Sequence, residues 1–178
     1  MSDTSTPSSR GVAAGAATWE SLARSARSES AATAAGPSRW RQLLTFRLGE
    51  DPYAVPIERV REIVRLPTIT PMPRVPACVR GVISLRGEMV EVIDLRRRLG
   101  MSEIAPSRTS RVVVLHDDGR ATSGLLVDGV NDVMRVPEEA ISETTASEEA
   151  HVCGLCERGN GFVSLLDVDR VLDLDGER

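Results

Sequence analysis

The chain has 178 residues, enough for one domain or two small ones, and its 41% hydrophobic content is enough for a core. Net charge is −4 and all 22 basic residues are Arg, so it lacks the basic footprint of a nucleic-acid binder; Trp19, Trp40, Phe46, Tyr53 and Phe162 are too few for a stacking platform. No apolar run approaches a membrane span, no signal-peptide core opens the chain, and three Cys do not suggest a disulfide framework, so a soluble intracellular protein is expected.

Residues 1–38 are rich in Ala, Ser, Thr, Gly and Pro without apolar periodicity, which predicts a disordered tail. Within it, Thr18 to Ser30 has a weak helical face of Trp19, Leu22 and Ala26. Arg41 to Leu48 and Tyr53 to Ile57 read as strands around a turn at Asp51-Pro52. Glu58 to Leu66 reads as one helical turn passing into a strand, and Pro67 to Pro76 as an extended crossing.

Val79 to Leu99 then reads as a hairpin and a short helix. Its turn is placed at Gly87-Glu88, which sets Leu85 opposite Val90 and Ile83 opposite Val92. Asp94 is placed to cap the helical turn. Ile104 to Thr109 is a linker. Arg111 to His116 and Ala121 to Val127 form a hairpin around Asp118-Gly119, and Ser142 to Glu149 is an acidic loop.

Val152 to Leu172 repeats Val79 to Leu99. Gly154, Asp167, Arg170 and Leu172 match Gly81, Asp94, Arg97 and Leu99 at an offset of 73, with the second turn placed at Asn160-Gly161. Upstream, Val60, Arg65 and Pro67 match Val130, Arg135 and Pro137 at an offset of 70. The reading is an all-β duplication, with units at about 41–100 and 110–173, forming two small barrels or a sandwich.

Signals for chemistry are weak. There is no phosphate loop, nucleophile elbow or paired-His helix, so no catalytic residue and no cofactor is expected. His151, Cys153 and Cys156 have metal-like spacing. Strand alternation sends the two thiols to opposite faces, with Cys156 beside Leu165, and no metal site is expected. Arg86 is more informative. Its repeat counterpart is Gly159, so folding does not require an Arg there, and a partner contact is the functional reading.

From Gln42 to Leu174 the chain resembles CheW, the adaptor of bacterial chemotaxis. The resemblance rests on LLTFRLGEDPYAVPIERVREI, VRGVISLRGEMVEVIDLRRRLG, GLLVDGVNDVMRV and the second hairpin with LDVDRVL. Ser84 stands where the family usually has Asn, and the Ser142 to Glu149 loop carries no aromatic residue.

The resemblance implies two intertwined five-stranded SH3-like barrels over residues 39–178 and a non-catalytic adaptor. It implies two partners, the regulatory domain of the histidine kinase CheA and the cytoplasmic tip of chemoreceptors. Localisation would be cytoplasmic, joined to membrane receptor arrays through those partners. A CheW-like scaffold of a non-motility pathway is the alternative. Val60, Glu62, Val112 and Val130 fall at receptor-binding positions of the family, in the groove between barrels. Arg86 and Gly87 fall on its Leu-Arg-Gly motif, a receptor or kinase contact.

Overall fold

A computed structural model describes residues 39–116, 122–144 and 151–174. The tail, the Asp118-Gly119 turn and most of the Ser142 to Glu149 loop lie outside these residues.

Eleven strands are described: β1 (Trp40–Leu48), β2 (Asp51–Pro56), β3 (Val60–Arg65), β4 (Val79–Leu85), β5 (Glu88–Asp94), β6 (Arg111–Leu115), β7 (Ser123–Val127), β8 (Gly129–Pro137), β9 (Ile141–Glu143), β10 (Val152–Arg158) and β11 (Gly161–Leu166). Two short helices, α1 (Leu95–Arg98) and α2 (Val168–Leu172), follow β5 and β11. The helical turn expected before β3 is a 3-10 turn, Ile57–Arg59. Asp94 caps α1 by accepting from the Arg96 and Arg97 amides, and Asp167 caps α2 by accepting from Arg170.

The strands make two sheets, β8-β1-β2-β11-β10-β9 and β3-β6-β7-β5-β4. Each sheet mixes the repeats. β5 of the first repeat pairs in parallel with β7 of the second, Glu91 opposite Ser123. β11 of the second repeat pairs in parallel with β2 of the first, Ser164 opposite Tyr53. The two registers are equivalent under the repeat, since 164 − 91 is 73 and 123 − 53 is 70. The spans 41–100 and 110–173 are therefore repeats and not barrels. Each repeat lends its first hairpin to the other's barrel.

Both sheets close. β3 and β4 end the five-stranded sheet, yet Thr70, just beyond β3, bridges Val82 of β4. β8 and β9 end the six-stranded sheet and are joined by the 3-10 turn Glu138–Ala140. Glycine makes the first closure possible. A Cβ on Gly81 would stand 2.1 Å from the Thr70 carbonyl oxygen, and its φ is +135°. Its counterpart Gly154 lies against β9, where a Cβ would stand 3.2 Å from the Ser142 carbonyl oxygen.

Three apolar clusters result. Ile83, Val90, Val92, Val112, Val114 and Leu126 fill the five-stranded barrel. Leu43, Ala54, Val136, Cys156, Val163 and Leu165 fill the six-stranded one. The largest lies between the sheets and takes Leu44, Phe46, Val113, Leu115, Ile93 and Leu166 with Val171 of α2. β6 is buried on both faces, which is why it reads as a continuous apolar run.

The turn between β1 and β2 falls at Gly49-Glu50, with Leu48 opposite Asp51, and not at Asp51-Pro52. Two further expectations, both in the repeated hairpin, are corrected. The first hairpin turns at Arg86-Gly87, so that Leu85 faces Glu88 and Ile83 faces Val90. The second turns at Gly159-Asn160, with Arg158 opposite Gly161. Both turns sit one residue earlier than expected.

The parity argument about the thiols also fails. A bulge between Val152 and Gly154 breaks the alternation, and Cys153 packs on the same cluster that contains Cys156. The partner of Leu165 is Gly154, not Cys156. Burial pushes both thiols up from their ordinary pKa. Among the described residues no three His, Cys, Asp or Glu side chains converge as a metal site would need.

Candidate functional site

The β4–β5 turn has positive φ at both central residues, 52° at Arg86 and 85° at Gly87. That is the type I′ pattern, whose twist matches that of a hairpin. Gly suits it and Arg does not. A left-handed conformation costs a residue with a Cβ about 1–2 kcal/mol. The repeat uses Gly159, with φ 60°, at the matching position. Arg86 is thus held in a backbone conformation that glycine would adopt freely.

Barrel closure brings β3 to this tip. Arg86 Nη2 donates to Glu62 Oε2 at 3.0 Å, with the Arg86 side chain 75% exposed and that of Glu62 18% exposed. Beside it, Arg61 Nη1 donates to Glu88 Oε2 at 2.5 Å. The two pairs run in opposite senses: β3 gives Arg61 and Glu62, and the hairpin tip gives Arg86 and Glu88. The Arg61 hydrogen bond, then its charge, holds the Glu88 carboxyl below its ordinary pKa. Ile63 and Met89, next in sequence to Glu62 and Glu88, are both exposed. The tip therefore presents an exposed guanidinium paired to one carboxylate, beside a second ion pair.

The second barrel repeats the arrangement. Arg158, beside the second turn, donates to Asp132 of β8 at 3.0 and 2.7 Å. Thr45 donates to Asp132 Oδ1 at 2.6 Å, and these bonds, Thr45 first, hold the Asp132 carboxyl below its ordinary pKa. Asp132 matches Glu62 at the offset of 70.

The other residues singled out in the sequence divide. Val60 and Val130 are half-buried and pack on the edge of the cluster between the sheets. Val112 is 0% exposed and lies inside the five-stranded barrel. There it faces Gly124, where a Cβ would stand 2.5 Å from Val112 Cγ1. A side chain with no exposed surface cannot touch a docked partner, so Val112 is removed from the contact set.

Sequence reading placed Glu62 and Arg86 in separate groups, and the structure joins them. Sequence reading did not single out Ile63 and Met89, which the structure leaves exposed. The available signal was the repeat, which keeps apolar residues at the matching Val133 and Phe162, both exposed.

With this geometry established, comparison with known proteins is decisive. The family model of the CheW-like domain matches residues 42–175. The chain belongs to the CheW family. The probable chemotaxis protein CheW of Rhizobium etli is 41% identical over 104 residues, 58% of this chain and 66% of that protein. The chemotaxis protein CheW of Rhizobium meliloti is 35% identical over 135 residues, 74% of this chain and 86% of that protein. The crystal structure of the scaffolding protein TtCheW from Thermoanaerobacter tengcongensis matches with a TM-score of 0.72 at 28% identity, covering 79% of this chain and 98% of that one. The CheW fold accounts for the intertwined barrels.

Proposed function

We propose that this CheW-family chain is a non-catalytic chemotaxis adaptor that couples chemoreceptors to the histidine kinase CheA. Support comes from the family match and from relatives described as chemotaxis and scaffolding proteins. The observation that carries the reading is Arg86: an exposed arginine kept at φ 52° where the other repeat has glycine. Strain of this kind, held at a surface tip and paired to Glu62, is a mark of function.

In this reading Arg86, Gly87 and Glu62 form the contact at the barrel tip. Val60 and Val130 line the groove that takes a receptor helix, in the manner of an amphipathic helix laid on an apolar strip. Residues 39–178 form the working domain, and a chain starting at Arg39 should unfold at the same temperature as the full chain; a drop of many degrees would refute that boundary. Among the described residues no helix is long and apolar enough to cross a membrane. The proposed location is the cytoplasm, at receptor arrays reached through the partners.

The test is titration of the full chain with the CheA regulatory domain and with a receptor cytoplasmic fragment. The reading expects saturable binding to both. Binding to neither, by a folded protein, would reject it.

A further inference from the structure

Val130 stands on a strip that continues along β8. It lies opposite Phe46 of β1, Val133 opposite Leu44, Arg135 opposite Gln42 and Pro137 opposite Trp40. Residues opposite one another in an antiparallel ladder share a face, so these four rows form one face of the β1–β8 pair. Phe46 and Leu44 are buried in the cluster between the sheets. Val133, Gln42, Arg135 and Trp40 are exposed. The strip therefore leads outward from Val130 through Val133 and ends on Arg135 and Trp40. From Phe46 to Trp40 along β1 is about 20 Å, the length of roughly thirteen residues of helix.

Arg135 and Trp40 are diagonal neighbours on this face, and the Arg135 Cζ stands 5.1 Å from the centroid of the Trp40 ring. That is the geometry of a cation–π contact. It engages the flat face of the guanidinium and leaves the in-plane N–H donors available for a carboxylate. Arg61, Arg86 and Arg158 each face a carboxylate of this chain. Among the described residues Arg135 has no such partner; it faces a ring instead.

The ring belongs to one repeat only. Arg65, the counterpart of Arg135, lies opposite Arg111 as Arg135 lies opposite Gln42, so the position of Trp40 corresponds to Thr109. The fold therefore does not require an aromatic residue there.

Resting on the adaptor function proposed above, we propose that Trp40 and Arg135 form the outer end of the receptor groove, where the guanidinium seated on the ring pairs with a carboxylate of the receptor helix. Val130 and Val133 offer such a helix an apolar strip, and the cation at its end suits a polar edge bearing Asp or Glu. Arg135 is the contact and Trp40 the positioning residue. A free arginine side chain loses rotamer entropy when it is captured, and the ring limits that freedom before the helix arrives.

The full chain is titrated with a receptor cytoplasmic fragment and, separately, with the CheA regulatory domain. Arg135→Glu should weaken receptor binding by at least about tenfold at low salt, and the difference from wild type should shrink at high salt, where exposed pairs are screened. Trp40→Leu keeps an apolar side chain and changes no charge; it should weaken receptor binding by about threefold. Trp40→Phe keeps a ring face and should stay within about twofold of wild type. Kinase-domain affinity should stay within about twofold throughout. Circular dichroism confirms folding, and Arg135→Gln gives the same decision should Arg135→Glu fail to fold.

Receptor affinity unchanged in the Arg135 variants, or equal losses for both partners, would overturn the proposal. So would a Trp40→Leu variant indistinguishable from wild type. Unchanged receptor binding with altered self-association by sedimentation would assign the strip to a second copy of the chain and overturn it as well. Val60→Glu separates the two levels. Receptor binding lost in Val60→Glu but kept in Arg135→Glu rejects this end of the groove alone, whereas no receptor binding by the wild type rejects the adaptor function and this proposal together.

Discussion

Arg86 Nη2 lies 3.0 Å from Glu62 Oε2, joining the tip of one hairpin to the strand at the opposite end of the same sheet. The pair exists because the sheet closes into a barrel. It also fixes the direction of a guanidinium whose backbone is already constrained at φ 52°. Exposed ion pairs contribute about 0–1 kcal/mol to stability, so the arrangement does little to hold the fold. In the proposed reading its value lies in presenting the arginine.

That separation of stability from recognition can be measured. Arg86→Gly removes the side chain and relieves the left-handed strain, whereas Arg86→Ala removes the side chain and keeps a Cβ. By denaturant unfolding Arg86→Gly should be about 1 kcal/mol more stable than Arg86→Ala. Both should weaken partner binding to a similar degree. Equal stabilities would mean that the turn is not left-handed at Arg86.

Glycine positions should differ by their surroundings. Gly81→Ala drives a methyl into the Thr70 backbone at the barrel closure. A loss of about 3 kcal/mol or more is expected, since backbone cannot step aside as a side chain tip does. Gly87→Ala meets nothing within 4 Å and should cost only about 1 kcal/mol of turn strain. Similar losses at both sites would contradict closure through Thr70.

Acid should loosen the chain at Asp128, between β7 and β8. Burial alone would raise this carboxyl, but the Arg96 hydrogen bond, the Gly49 amide at 2.7 Å and the arginine charge hold it below its ordinary pKa. A carboxyl depressed in the folded state contributes stability that is fully present above its unfolded value, about pH 4, and is lost as pH falls through the folded one. Asp128→Asn should cost about 3 kcal/mol at neutral pH by leaving Arg96 buried without its charge partner. The difference between variant and wild type should shrink in strong acid. A pH-independent difference would assign the loss to packing.

The duplication was legible because hairpin, cap and helix recur at a fixed offset, and alternation plus turn residues gave most strands. The turn register was not legible. Glycine preference placed the first turn one residue late, because the chain puts Arg86 where glycine is favoured, and the Asn160-Gly161 dipeptide drew the second turn one residue late although Gly159 takes the left-handed position. The face of Cys153 was lost to a bulge that leaves no mark in an alternating pattern. Val112 was taken for a contact although it sits in a run, RVVVL, whose continuity signals burial on both faces. The Glu62–Arg86 pair depends on closure of the barrel, a long-range event that spacing along one strand does not encode.

The most direct test of the adaptor account is Val60→Glu, measured against both partners. Val60 is half-buried at the edge of the cluster between the sheets, and the proposed second contact is the Arg86 tip. A receptor helix laid over Val60 would bury the new carboxylate without a partner, at roughly 3–5 kcal/mol. At about 1.4 kcal/mol per tenfold, receptor affinity should fall at least a hundredfold, while kinase affinity should shift by less than about tenfold. Circular dichroism of the variant must match wild type for the comparison to hold. Loss of receptor binding with kinase binding kept is the predicted result. Retained receptor binding, or equal loss of both partners by a folded variant, would contradict the groove and with it the two-surface account.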